Sequence, residues 1–411
     1  MKQIREMKLL NMLTAALVLF FTATGCSSVK IKKDTPYVVL VSMDAFRWDY
    51  DSIYRTPVLD KIAENGVMAR RLIPSFPTKT FPNHYSIATG LYPDHHGLIN
   101  NSFYAPDLDL VYRIGDRAMV ENAAFYGGEP IWVTAMKAGI RTASFYWVGS
   151  EAPIEGMHPD YWKTYDDEVA FGDRVDTVLK WLSLPPAKRP HLVTLYFEEP
   201  DAVSHVYGPV APETAAVVES LDSLLGVLRE GLSKLPQAKN INLIVLSDHG
   251  MGDIDASRYN NIFDTLPQSM VKRIYGGTPV WSVEPAAGKT DSVLMYVNMQ
   301  KGVKAYRKEN LPAHLHYGTN PRLPEVILIA DPGWIAGIRP NPSGYNKGDH
   351  GYDWKWKEMH SIFYAEGPAF KKNFEVDTLY NIDIYNIMTR ILNLVPAPND
   401  GDPERISPLF R

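Results

Sequence analysis

The sequence predicts an α/β fold with a mainly parallel central sheet, and three observations carry the prediction. Apolar runs such as Tyr37–Met43, Leu192–Phe197 and Ile241–Ser247 are continuous rather than alternating, as strands buried on both faces require. Helical patterns separate these runs, the longest at Pro212–Leu235 and Ile382–Leu392. The chain has 411 residues with 45% hydrophobic and 22% charged side chains, which suits a large folded core and excludes a disordered or coiled-coil chain.

The elements follow in order. Residues 1–25 read as a secretory leader: Lys2, Arg5 and Lys8 precede an apolar run from about Leu9 to Phe21, shorter than the roughly 20 residues of a membrane span. The leader ends at Ala23-Thr24-Gly25-Cys26, which resembles a bacterial lipobox, so Cys26 is the expected lipidation site. Cys26 is also the only cysteine, and no disulfide can form within the chain. Residues 26–36 form a polar tether, and residues 37–411 a single domain. The expected location is the bacterial cell envelope, anchored by lipid on the periplasmic face or the cell surface.

Within the domain, Thr56-Pro57 opens a helix that Gly66 closes. Shorter strands are expected at Ser292–Asn298, Glu325–Ala330 and Ser361–Tyr364. The stretch from about 101 to 173 is rich in aromatics and turns and reads as an insertion over the sheet edge. A net charge of −5 offers no field for a nucleic acid duplex, although a small anion held by metal ions is compatible with it.

Acidic and imidazole side chains gather where strands end. Asp44 follows the first run, Asp201 and His205 follow the Leu192 run, Asp248 and His249 follow the Ile241 run, and His350 lies in Gly348-Asp349-His350-Gly351. Open α/β sheets bind ligands at the carboxyl ends of their strands. Carboxylates and imidazoles are the ligands that zinc and similar ions take. Thr80 precedes Phe81-Pro82 and is placed at a helix N-cap, where backbone N–H groups favour an oxyanion. His84, His95 and His96 read as helix and turn residues, His360 as a core or surface residue, and His314 and His316 as structural.

The motifs Thr78-Lys79-Thr80-Phe81-Pro82-Asn83-His84-Tyr85, Gly90-Leu91-Tyr92-Pro93, Glu199-Pro200-Asp201, Ser247-Asp248-His249-Gly250-Met251, His350-Gly351-Tyr352-Asp353 and Gly367-Pro368-Ala369-Phe370 occur in this order. With them the chain resembles the nucleotide pyrophosphatase/phosphodiesterase family, the type I phosphodiesterase branch of the alkaline phosphatase superfamily, from about Tyr37 to Gly401. The resemblance implies an alkaline phosphatase-like sandwich with an inserted substrate-binding region, and two zinc ions. Asp44, Thr80, Asp248 and His249 match the ligands of one zinc; Asp201, His205 and His350 match those of the other. Thr80 matches the nucleophile, which would carry the nucleotidyl group before a nucleoside 5′-monophosphate is released. Asn101 matches a residue that holds a nonbridging phosphoryl oxygen. Phe81 and Tyr165 match positions that sandwich the nucleobase, and Trp147 a pocket wall.

Ser204, Val148 and Glu151 depart from the family pattern and leave nucleobase preference open. The alternatives are a phosphodiesterase for head groups such as glycerophosphocholine, a phosphomonoesterase of the same superfamily, and an inactive binding lipoprotein. A monoesterase places cations around the extra phosphate oxygens, and Trp147-Val148-Gly149-Ser150 offers none. The oligomeric state is not encoded in any motif.

Overall fold

The computed structural model describes residues 35–339 and 346–411. The leader, Cys26 and all but the last residues of the tether therefore lie outside the described residues.

A nine-stranded mixed sheet organises the chain. In chain order its strands are β1 (Tyr37–Met43), β2 (Val67–Ile73), β3 (Thr142–Phe145), β4 (Tyr161–Lys163), β5 (Leu192–Phe197), β6 (Ile241–Leu246), β7 (Ser361–Glu366), β8 (Phe374–Val376) and β9 (Leu379–Tyr380). Across the sheet they run β8-β2-β7-β6-β1-β5-β3-β4, with β9 also paired to β2. β1 is parallel to both β5 and β6, in register Val39 opposite Val193 and Leu243. β7 is antiparallel to β2 and β6. The sheet is mostly parallel, as the unbroken apolar runs predict.

Every residue of β1 and β6 is buried. Val38 and Leu40 face one core with helices α2 (Thr80–Thr89) and α7 (Ile384–Leu392). Val39, Val41 and Met43 face the other, with α1 (Pro57–Asn65), α4 (Phe171–Leu182) and α6 (Pro212–Ser233). Full burial of a Val or Leu side chain contributes about 1.5–3 kcal/mol, which is why period-two alternation is absent here. Two shorter helices complete the scaffold, α3 (Ile131–Lys137) and α5 (Asp201–Tyr207).

Two expectations are corrected. Residues 101–173 do not simply lie over the edge: they supply β3 and β4, and β3 pairs in parallel with β5. Ser292–Asn298 is not a strand but part of a helix, Thr290–Asn298. Its run Val293-Leu294-Met295-Tyr296-Val297 is apolar throughout, and such a run carries no period to separate helix from strand. Val293 and Val297, one helical turn apart, are the residues it buries. This helix packs on a four-stranded antiparallel sheet, in the order Val271–Gly277, Val280–Pro285, Val326–Ala330, Val303–Arg307, which forms a third core.

Candidate active site

Because β1, β5 and β6 are parallel neighbours, their carboxyl ends open on one edge. Asp44 leaves β1, Asp248 follows β6 by two residues, and Asp201 opens α5 just beyond β5. His205 lies one helical turn after Asp201, on the same face of α5. His350 arrives from the loop ahead of β7.

The three strand-end histidines share one arrangement. His249 Nδ1 lies 2.9 Å from the Gly250 carbonyl, His205 Nδ1 2.8 Å from that of Gly348, and His350 Nδ1 2.8 Å from that of Thr78. A carbonyl only accepts, so each Nδ1 carries a proton, and Nε2 is the atom each ring turns toward the site. Those atoms meet carboxylates: His249 Nε2 is 3.0 Å from Asp248 Oδ2 and 3.5 Å from Asp44 Oδ1. His205 Nε2 is 3.3 Å from Asp201 Oδ2, and His350 Nε2 is 3.4 Å from Asp201 Oδ1. Nitrogen and carboxylate oxygen at such distances must share a cation, whether proton or metal. Asp44 Oδ1, Asp201 Oδ1 and Asp248 Oδ2 have no hydrogen-bond partner. The residues present therefore fit divalent metal.

Three groups of potential ligand atoms converge within 4.8 Å of one another: Asp201 with His205 and His350, Asp44 with His84 and Asp248, and Asp44 with Asp201 and His249. The first is one predicted ligand set in full. The other predicted set is also brought together, since the Thr80 hydroxyl lies 3.3 Å from His249 Nε2. The His249 and His350 rings stack at 3.8 Å, so the two sets share a wall.

The charges are strongly interdependent. Burial, then the neighbouring Asp248 and Asp201, push the Asp44 carboxyl well above the ordinary range. Burial would raise Asp248 as well, but His249 and His84 outweigh it and hold Asp248 well below that range. Burial lowers His205, yet Asp201 overrides it and pushes the ring up to about 9. Burial, His249 and Lys79 hold His350 well below the ordinary imidazole value.

α2 starts one residue earlier than expected: Lys79 is the cap residue, and Thr80 is the first helical residue. The chemical setting is that of a helix start all the same. The Phe81 N–H donates to Asn101 Oδ1 at 3.1 Å, which leaves the Asn101 amide NH2 as its donor group. Lys79 turns aside, donating to the Thr278 carbonyl at 3.0 Å.

Gly250 permits the Ser247-Asp248-His249-Gly250 turn. A Cβ there would stand 2.1 Å from the Glu358 carbonyl oxygen and 2.5 Å from that of His360.

Of the expected base contacts, Phe81 is half-buried beside Thr80 and Tyr165 is 38% exposed. Tyr165 also lies close enough to Asp44 for that carboxylate to help raise its hydroxyl, after burial and Glu198. Trp147 is corrected. It is 1% exposed and its indole N–H donates to the His84 carbonyl at 3.0 Å, so it packs behind α2 and presents no face to a ligand. His95 and His96 sit in a short helix, Pro93–His96, and His360 Nε2 donates to the Trp354 carbonyl at 2.8 Å. His314 pairs with Asp353 and His316 stacks on Tyr92, and neither joins a metal group among the described residues.

Sequence reading missed the support behind these residues. His84, on α2 as expected, also reaches the site. Its Nδ1 lies 3.0 Å from the Thr80 carbonyl and 3.3 Å from Asp248 Oδ2, and its Nε2 2.8 Å from Ser42 Oγ. Its position four residues after Thr80, one helical turn, was the available signal. Tyr196 on β5 donates to Asp44 Oδ2 at 2.6 Å and turns Oδ1 toward the site.

A family model described as type I phosphodiesterase / nucleotide pyrophosphatase matches residues 38–353. Human ectonucleotide pyrophosphatase/phosphodiesterase family member 1 is 37% identical over 391 residues, which cover 92% of this chain and 42% of that protein. A venom phosphodiesterase of Crotalus durissus collilineatus is 39% identical over 386 residues, covering 91% of this chain and 46% of that protein. The chain thus spans less than half the length of these curated relatives. Among solved structures, murine ectonucleotide pyrophosphatase/phosphodiesterase 5, an inactive threonine-to-alanine variant in complex with AMP, superposes with a TM-score of 0.87 at 33% identity. That match covers 92% of this chain and all of the murine one. The chain belongs to the type I phosphodiesterase / nucleotide pyrophosphatase family.

Proposed function

We propose that the protein hydrolyses nucleotide phosphodiester or pyrophosphate bonds and releases nucleoside 5′-monophosphates. The observation that carries this is the Thr80 hydroxyl at the start of α2, 3.3 Å from His249 Nε2, which itself faces carboxylate oxygens of Asp44 and Asp248 that have no hydrogen-bond partner. Asp44, Thr80, Asp248 and His249 would hold one zinc ion, and Asp201, His205 and His350 a second. Bound there, the two ions would supply acidity to the hydroxyl and positive charge to the phosphoryl and leaving oxygens.

The chain's own groups do the rest. Thr80 Oγ forms a bond to phosphorus as the bond to the leaving alcohol or phosphate breaks, which gives a nucleotidyl-threonine. Water then attacks the same phosphorus and Thr80 leaves with its proton restored. The Asn101 NH2 would donate to a nonbridging oxygen, close to the positive end of α2. Phe81 and Tyr165 offer aromatic faces to a base. The bound AMP and the inactive threonine variant of the murine relative support this reading. Cys26 would anchor the enzyme in the cell envelope; a Cys26→Ser chain that stayed membrane-bound would remove that part.

Rates on thymidine 5′-monophosphate p-nitrophenyl ester, glycerophosphocholine and p-nitrophenyl phosphate test the function. The nucleotide diester should be fastest. A faster choline diester or monoester would overturn the reading. Stacking contributes about 1–3 kcal/mol per base, so Tyr165→Ala should slow the nucleotide diester by about 5- to 150-fold and spare methyl p-nitrophenyl phosphate.

A further inference from the structure

Tyr165 follows β4 in a loop without regular structure, yet its backbone is tied at one point. Its N–H donates to Glu151 Oε2 at 3.0 Å. The Glu151 side chain is only 7% exposed, and a carboxylate so placed needs a partner. Arg117, from the short helix Arg117–Val120, supplies it: Nη1 donates to Oε1 at 3.2 Å and Nη2 to Oε2. The same guanidinium is braced by Glu121 Oε1 at 2.8 Å. The Tyr165 ring meets Tyr146 edge-on at 5.1 Å, and Tyr146 in turn lies under the Arg174 guanidinium at 5.0 Å. The ring is thus fixed through both its backbone and its side. Neither Arg117 nor Glu151 belongs to the metal groups or touches Thr80.

We propose that Arg117 and Glu151 form a latch that presets Tyr165 for nucleotide recognition, both acting as positioning residues. The inference rests on the reading of Tyr165 as a base contact. A loop ordered before binding spares the substrate the entropy of ordering it, so the latch acts on nucleotide affinity and not on bond breaking.

Steady-state kinetics of the full chain on thymidine 5′-monophosphate p-nitrophenyl ester and on methyl p-nitrophenyl phosphate test it. Arg117→Ala and Glu151→Ala should raise KM for the nucleotide ester about 3- to 10-fold. Their kcat, and both constants for the methyl ester, should stay within about twofold. Glu151→Gln retains an acceptor for the Tyr165 N–H and should recover most of the loss. In a Tyr165→Ala background, Arg117→Ala should add nothing further. An equal KM rise on both esters, or a full additional effect in that background, would overturn the latch. If Tyr165→Ala alone left nucleotide KM and kcat unchanged, the base-contact reading would fail, and the latch with it.

Discussion

Removing bound metal should soften the whole protein, and the structure allows the size of the effect to be worked out. Asp44 Oδ1, Asp201 Oδ1 and Asp248 Oδ2 have no hydrogen-bond partner, and a buried polar atom left so costs about 1–3 kcal/mol. Asp44 and Asp248 are fully enclosed, while the Asp201 side chain is 19% exposed and belongs at the low end. A cation that satisfies all three would then restore about 3–7 kcal/mol. Unfolding entropy near 2.1 cal/mol/K per residue gives about 0.8 kcal/mol/K for a chain of this size. The melting temperature should therefore fall by about 4–9 °C on chelation and return when zinc is added back. Calorimetry on chelated and zinc-reconstituted protein, with metal content measured on the same samples, provides the check. A melting temperature unchanged within about 1 °C while zinc is lost would refute the argument that these oxygens await a cation.

Three further outcomes are expected. Thr80→Ala should lower nucleotide diester turnover by about 10³-fold or more while the melting temperature stays near wild type, since only a half-buried hydroxyl and methyl are lost; rates within tenfold of wild type would remove Thr80 as nucleophile. His84→Ala should weaken zinc binding about 10- to 100-fold, as loss of a group that orients a ligand does, and competition with a chromophoric chelator would show an unchanged affinity if His84 only packs. His96 is held down to about 3 by burial. Its Nδ1 accepts the Leu98 N–H at 3.2 Å, so a second ring proton has no place. The unfolded chain takes up that proton below about pH 6.5, so this contribution is intact above that pH and is lost as pH falls toward 3. Urea unfolding should show about 2 kcal/mol lost from this residue between pH 7 and 5, and a His96→Gln chain with an equal pH slope would contradict it.

What could be read from the residues is what local pattern encodes. β1, β5 and β6 were legible because burial on both faces demands unbroken apolar runs. Asp44, Asp248 and the Asp201–His205 pair were legible because they follow such runs directly. The Thr290–Asn298 helix was not, since five consecutive apolar residues carry no period. Nor was the place of β3 and β4 in the sheet, because strands of three and four residues are too short to show a period. Trp147 shows a third limit. An aromatic beside a pocket motif and one packed behind it have the same sequence, and only the hydrogen bond to the His84 carbonyl distinguishes them. Tyr196 escaped for a related reason, since its partner Asp44 lies far along the chain, as does Asp248, the carboxylate that His84 faces.

The anchoring of the imidazoles has a consequence for how the protein comes into being. His205 leans on the carbonyl of Gly348, and His350 on that of Thr78, so each ring is oriented by a peptide group more than a hundred residues away. A growing chain that has completed β1, β5 and β6 owns most of the acidic residues yet cannot aim two of these rings. Only synthesis past residue 350, followed by insertion of β7 between β2 and β6, brings the last partners into place. Contacts so distant in sequence form late. Orientation of the centre therefore waits on chain beyond residue 350, and a product truncated before it is left with acids whose histidine partners are not yet aimed.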